Sequence, residues 1–204
     1  MSKSHVNENY IHNCGETKVK LKNYIKDITE MGFSDKEIIE IISFYLLHAP
    51  VSRSGTADNE FGLKRLSDFG WKGNPDMSKL EGKLLKKSGI GTFCFIKADT
   101  IAETLKAMDL DDTICSKHPR AVIKQNVSVK VLEDGSTEIS ARETRMECLF
   151  RHIRNSFAHN RMYYFEEGNI LLEDRDDNGQ ISSRILISKQ ALIDWIGIIS
   201  VKET

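Results

Sequence analysis

Between Arg142 and Asn160 the apolar residues Met146, Leu149, Phe150, Ile153 and Phe157 recur at helical spacing. A stripe of that kind must be buried against other apolar surface, so it predicts one long amphipathic helix docked on a core. Three short apolar stretches follow, Met162–Phe165, Ile170–Leu172 and Ile185–Ile187. Glu166-Glu167-Gly168 and Asp176-Asp177-Asn178-Gly179 separate them, which predicts a short antiparallel hairpin or meander. Ser188 then stands where it can cap a last helix over 189–202, with Leu192, Trp195, Ile196, Ile198 and Ile199 apolar.

Upstream the pattern reads as mostly helical. Leu21, Tyr24, Ile25 and Ile28 give a helix from Val19 to about Met31, ended by Gly32. Ser34-Asp35-Lys36-Glu37 has capping-box spacing and opens a largely apolar helix through about His48, closed by Pro50. Residues 51–76 carry Gly55, Gly62, Gly70, Gly73 and Pro75, and read as a long connection with one short helix at 60–68. Short helices are expected at 77–88 and 98–110, while 111–125 has no clear period. Asn126–Val131 alternates, Asp134-Gly135 offers a turn, and Thr137–Ser140 returns as a second strand. The expectation is a mainly α fold with small β-hairpin insertions around 126–140 and 162–187. It forms a single domain over 1–204, with an N-terminal helical part, 1–141, and a second part, 142–202.

The charge balance narrows function. Twenty-nine Lys and Arg face 30 Asp and Glu, so the chain is not globally basic and nucleic acid could be held only by a local patch. Cys14, Cys94, Cys115 and Cys148 are scattered with no Cys-x-x-Cys, which argues against a zinc ribbon or a disulfide framework. The polar start lacks a signal-type apolar core, and no apolar run approaches the ~18 residues of a membrane span. A cytoplasmic protein without membrane contact is the expectation.

The local patch lies in Leu149-Phe-Arg-His-Ile-Arg-Asn-Ser-Phe-Ala-His-Asn-Arg161. Arg142, Arg145, Arg151, Arg154 and Arg161 face only Glu143 and Glu147 there. Metal-free RNA cleavage needs a base for the 2′-hydroxyl proton, an acid for the leaving oxygen and a cation on the crowded phosphate. An imidazole such as His159 can move the protons, and the permanently charged Arg154 can fork onto phosphate oxygens. Asn155 and His159, four apart, share a helix face, with Arg151 on the same stripe. Arg154 and His159, five apart, stand about 140° apart around an ideal helix, so a wrapped arginine, a distorted helix end or a two-fold dimer must bring them together. The competing reading is a solvated helix end, with Arg151, His152 and Arg161 as a soluble face.

Arg154-Asn-Ser-Phe-Ala-His159, followed by Asn160-Arg161, resembles the signature of the HEPN superfamily, the higher eukaryotes and prokaryotes nucleotide-binding domains. The hairpin and terminal helix from Ile170 to Ile199 also resemble its small prokaryotic defence and toxin proteins, so the likeness covers roughly 142–202. The resemblance implies an up-down helical bundle that dimerises. It implies a metal-independent endoribonuclease of toxin or antiphage-defence type, leaving a 2′,3′-cyclic phosphate at a composite site between two copies. Arg154 would contact phosphate, His159 would be the catalytic histidine and Asn155 the polar residue after the arginine; Arg151 and Arg161, from the local basic patch, are the expected substrate-binding residues. RNA, a second copy and an antitoxin or other defence-system protein would be the partners, and no cofactor is implied. Inactive members of the superfamily give the alternative, a non-catalytic module binding RNA, a nucleotide or a protein.

Other motifs are weaker. Cys115-x-x-His118 and His12-x-Cys14 are each half of a zinc site, and no metal is expected. Glu173-Asp174-Arg175-Asp176-Asp177 lacks the spacing and bidentate glutamate of a calcium loop and reads as a charged turn. Gly89-Ile90-Gly91 reads as a turn, and Trp71 and Trp195 read as packing anchors.

Overall fold

Ser183, Ile185 and Ile187 alternate with Arg184 and Leu186 along one strand, β9 (Ile181–Ser188), and all five are buried. A strand buried on both faces must lie inside a sheet that carries a layer on each side. The computed structural model, which describes residues 19–20, 32–51, 64–97, 100–165 and 168–201, shows that sheet. It has five strands in the order β2 (Phe93–Ile96), β4 (Arg120–Lys124), β9, β8 (Asn169–Arg175) and β7 (Met162–Tyr164). β2 runs parallel to β4, and every other neighbouring pair is antiparallel.

The alternation divides the core in two. Phe93, Ala121, Ile123, Ile170, Leu172, Ile185 and Ile187 face the larger cluster. This cluster includes buried residues of α1 (Asp35–Ile41), α2 (Gly73–Ser88), α4 (Arg145–Ala158) and α5 (Lys189–Ser200). Val122, Leu171 and Leu186 face a smaller cluster with Ile101 and Leu105 at α3 (Ala102–Ala107), Leu110, Ile114 and Phe165. Two indoles tie α2, α5 and the turn before α2 together: Trp195 Nε1 donates to the Leu84 carbonyl and Trp71 Nε1 to that of Ile199, both at 3.0 Å. A two-stranded ribbon, β5 (Val127–Val131) with β6 (Thr137–Ala141), stands apart from the main sheet.

The expected mainly α, up-down bundle is overturned: the chain is mixed α/β. The stretch 162–187 is not an insertion in a bundle but contributes three of the five strands. Phe93–Ile96, and Arg120–Lys124 within the stretch that showed no period, supply the other two. The physical reason is burial on both faces, which replaces period-two alternation with short continuous apolar runs that pattern alone cannot assign. The helix expected from Val19 begins instead as β1 (Val19–Lys20), paired with β3 (Thr113–Ile114), and residues 21–31 lie outside the described ones. The helix opened by Ser34 turns π-helical over Ile42–Leu47. Of the short helix expected at 60–68, residues 60–63 lie outside the described ones, and a 3₁₀ turn covers Leu66–Phe69.

Cys115 is disulfide-bonded, whereas Cys94 and Cys148 are free. Sequence spacing thus did not preclude a single cross-link, because pairing depends on distance in space. Among the described residues no helix is long and apolar enough to cross a membrane.

The start of α4 is set locally. Thr144 accepts from the Glu147 amide while the Glu147 carboxylate accepts from the Thr144 amide, a complete capping box. Thr144→Ala is expected to cost about 1 kcal/mol. In a chain of this size that lowers the melting temperature by about 2–4 °C, measurable by thermal denaturation.

Candidate functional site

The end of α4 follows from three backbone hydrogen bonds. His159 N–H donates to Asn155 O, Asn160 N–H to Phe157 O and Arg161 N–H to Ser156 O. With Asn160 left-handed at φ 50°, this is a Schellman stop, in which asparagine serves where glycine is commoner. His159 therefore occupies the C-cap and is exposed, and Arg161 leads directly into β7. The Arg161 carbonyl accepts from the Glu173 amide at 3.0 Å, which pins the turn to β8.

One turn back, α4 makes a buried polar network with the sheet. His152, 1% exposed, places Nδ1 2.7 Å from Asp174 Oδ2 on β8 and Nε2 2.8 Å from the Lys124 carbonyl at the end of β4. Those strands flank β9, so the imidazole spans it at the level where Ser183 pairs with Asp174. Asn155 Nδ2 donates to the same Asp174 oxygen at 3.1 Å. Burial pushes the Asp174 carboxyl up, but hydrogen bonds from His152 and Asn155 and the charge of His152 outweigh it. The group is held below the usual carboxylate range.

Arg151 is likewise occupied. Its Nε lies 3.0 and 3.1 Å from the two Glu143 oxygens, and its Nη2 donates to Glu143 Oε1 at 2.7 Å. Burial disfavours the Arg151 charge, but Glu143 more than restores it. Burial and the Glu143 charge together push the neighbouring Cys148 thiol up to about 12, so it is no nucleophile at neutral pH.

Arg154, His159 and Arg161 differ. None has a side-chain hydrogen bond or ion pair to another side chain or backbone group among the described residues. Arg154 is half-buried, and its Nε is shut off from solvent with no hydrogen-bond partner. Arg145, Arg175 and Arg184 all hold carboxylates, and Arg120 holds the carbonyls of Met108, Asp109, Cys115 and His118.

The five sequence-predicted residues thus divide. Arg151 and Asn155 are drawn into the network with Glu143, His152 and Asp174. Arg154, His159 and Arg161 hold no partner among the described residues, and the soluble-face reading fails for His152. α4 runs unbroken to Ala158, so Arg154 and His159 keep their separation of about 140° within one chain. Asp174 and Glu143 were missed as site partners. The available signal for Asp174 was the acidic pair Glu173-Asp174 continuing the apolar run Ile170–Leu172, where buried acids need partners. Asp176 builds the β8–β9 turn, its Oδ1 accepting from the amides of Asn178 and Gln180. Among the described residues no group of three or more His, Cys, Asp or Glu could hold a metal. No family model, no curated protein and no solved structure matches the chain.

Proposed function

We propose that the C-terminal end of α4 binds the phosphate backbone of RNA and cleaves it without a metal ion. The observation that carries this reading is the Arg154 guanidinium, half-buried and holding no carboxylate among the described residues, one turn from the exposed imidazole of His159. Arg154 supplies a fork for two phosphate oxygens, and Arg161 adds charge beside it. His159 takes the 2′-hydroxyl proton as that oxygen attacks phosphorus. A 2′,3′-cyclic phosphate forms and the 5′-oxygen leaves, taking a proton from an imidazolium. The two roles need two imidazoles or one that cycles, and a second copy of the chain meets that need. Asp174 holds Asn155 and His152 and so fixes the turn from which Arg154 and His159 project. The likeness of Arg154-Asn-Ser-Phe-Ala-His159 to the HEPN signature supplies a chemical precedent.

The test is incubation of the purified chain with unstructured RNA, with and without EDTA, followed by gel and mass analysis of the ends. Wild type is expected to cut equally in both conditions. His159→Ala should lose at least about 10²-fold in cutting while still shifting RNA. Arg154→Ala should lose both. The separation of Arg154 and His159 around α4 favours a second reading, RNA binding without cleavage. Wild type that shifts RNA intact selects it, and wild type that does neither removes both.

A further inference from the structure

α2 carries a basic stripe on its solvent side. Lys79, Lys83 and Lys86 fall within an arc of about 60° on an ideal helix and span about 10 Å along it. Lys79 and Lys86 are exposed and hold no carboxylate among the described residues. Lys83 is half-buried, its Nζ 6.0 Å from the centroid of the Trp71 ring. Lys72, also exposed, stands at the N-cap of the same helix. The opposite side of α2 is buried through Leu80, Leu84 and Ser88. Both acids of the helix are engaged elsewhere: Asp76 Oδ2 accepts from the Lys72 amide at 2.7 Å, and Glu81 holds Arg145 at 2.7 Å. Lys87, on the flank, is held by Asp194 at 3.3 Å.

Gly82 lies beside the stripe, in the turn between Lys79 and Lys86. A Cβ there would meet nothing within 4 Å. A mid-helix glycine weakens a helix relative to alanine, and no packing inside the chain calls for this one. It leaves backbone bare between two lysines, where another molecule can come close. The make-up of the stripe selects the occupant. A protein partner wants aromatic or arginine anchors, and the exposed Asn74, Pro75 and Ser78 around the stripe offer none. A helix lying on a lipid surface inserts an apolar face, and the apolar face of α2 is buried in the core. Lysines along a polar face match a line of phosphates, which asks for charge and little shape.

We propose that this stripe is a second contact for single-stranded RNA, holding phosphates beyond those held at the end of α4. The proposal rests on the RNA reading of α4 for its substrate and adds a length requirement to it. α4 starts beside α2, where Arg145 meets Glu81, and its 14 residues carry Ala158 about 20 Å away. A strand held at both places must cross that distance. A tetranucleotide, about 14 Å long when stacked, fills only one of them. A few lysines make few contacts, so the stripe strengthens the grip on a strand already held at α4.

Fluorescence anisotropy on the full chain with 2′-O-methyl RNA, which lacks the hydroxyl that attacks phosphorus, measures binding without cutting. The probes are a tetranucleotide and a strand of about 30 nucleotides. Lys79→Gln with Lys86→Gln, both exposed and expected to leave the melting temperature unchanged, should lose about tenfold in affinity for the long strand at low salt. The slope of log affinity against log salt should fall by about 1.4, and tetranucleotide binding should stay as in wild type. Lys106→Gln with Lys117→Gln removes the same charge from exposed positions elsewhere and should change neither. A stripe pair that binds the long strand as wild type does, or a control pair that loses as much as the stripe pair, would overturn the proposal and leave the α4 reading standing. A long strand held through the lysines with no tetranucleotide binding would overturn the α4 reading alone. Binding of neither RNA removes both, and stripe-dependent binding to phosphatidylserine vesicles would then assign the lysines to a lipid surface.

Discussion

Glu173→Ala is expected to remove about 3–5 kcal/mol of folding stability. Glu173 is fully buried on β8, and the register sets it opposite Arg184 on β9. Its Oε2 accepts from Arg184 Nε at 2.9 Å and Nη2 at 2.7 Å, and its Oε1 accepts from Arg175 Nε at 2.7 Å. Arg184 Nη1 also donates to the carbonyls of Leu110 and Asp111, tying the turn after α3 to the sheet. Without the carboxylate a guanidinium only 2% exposed keeps its charge and loses its counter-ion. The melting temperature should fall by about 10–15 °C. Glu173→Leu combined with Arg184→Met should recover much of the loss, because a buried pair contributes little more than apolar groups of similar volume. An unchanged melting curve for Glu173→Ala would show that the pair is not closed as described.

Asp174→Ala, one residue on, is expected to cost about 3 kcal/mol at neutral pH. It strips acceptors from His152 Nδ1, from Asn155 Nδ2 and from the Arg175 amide at 2.9 Å. The same site gives a pH dependence. A carboxyl whose folded pKa lies below its unfolded value, about 3.9, adds stability that is full above the unfolded value. That stability is lost as pH falls through the folded value. Wild type should therefore lose this contribution progressively below about pH 4. Asp174→Asn should be weaker at neutral pH yet decline less steeply under acid. Urea unfolding at pH 7 and near pH 3 measures both, and parallel acid profiles for the two proteins would contradict the assignment.

What the sequence disclosed depended on how many neighbours each residue needed. α4, the Ser34–Glu37 capping box of α1 and the Ser188 cap of α5 were legible because their determinants lie within a few positions. The ribbon and the strands near 162–165, 170–172 and 185–187 showed themselves through turn residues. β2 and β4 did not, because four or five residues that pack apolar side chains on both faces, β2 only partly buried, carry no polar alternation. Arg120 made β4 look still less like a core strand until its guanidinium was seen to satisfy four carbonyls. At the proposed site, the spacing of Arg151, Arg154, Asn155 and His159 picked out one stretch of α4. It could not divide them into occupied and free, because Asp174 approaches from a strand 19 residues beyond Asn155.

The adjacency of Glu173 and Asp174 has a consequence for folding. Ile170, Leu171 and Leu172 are greasy on both sides, so oil alone would accept β8 shifted by one position. Such a slide would turn Glu173 toward His152 and Asp174 toward Arg184, at the wrong reach for each. Two neighbouring acids of different length, aimed at an imidazole in one layer and a guanidinium in the other, thus act as a key that admits one alignment of the strand and rejects the slid one.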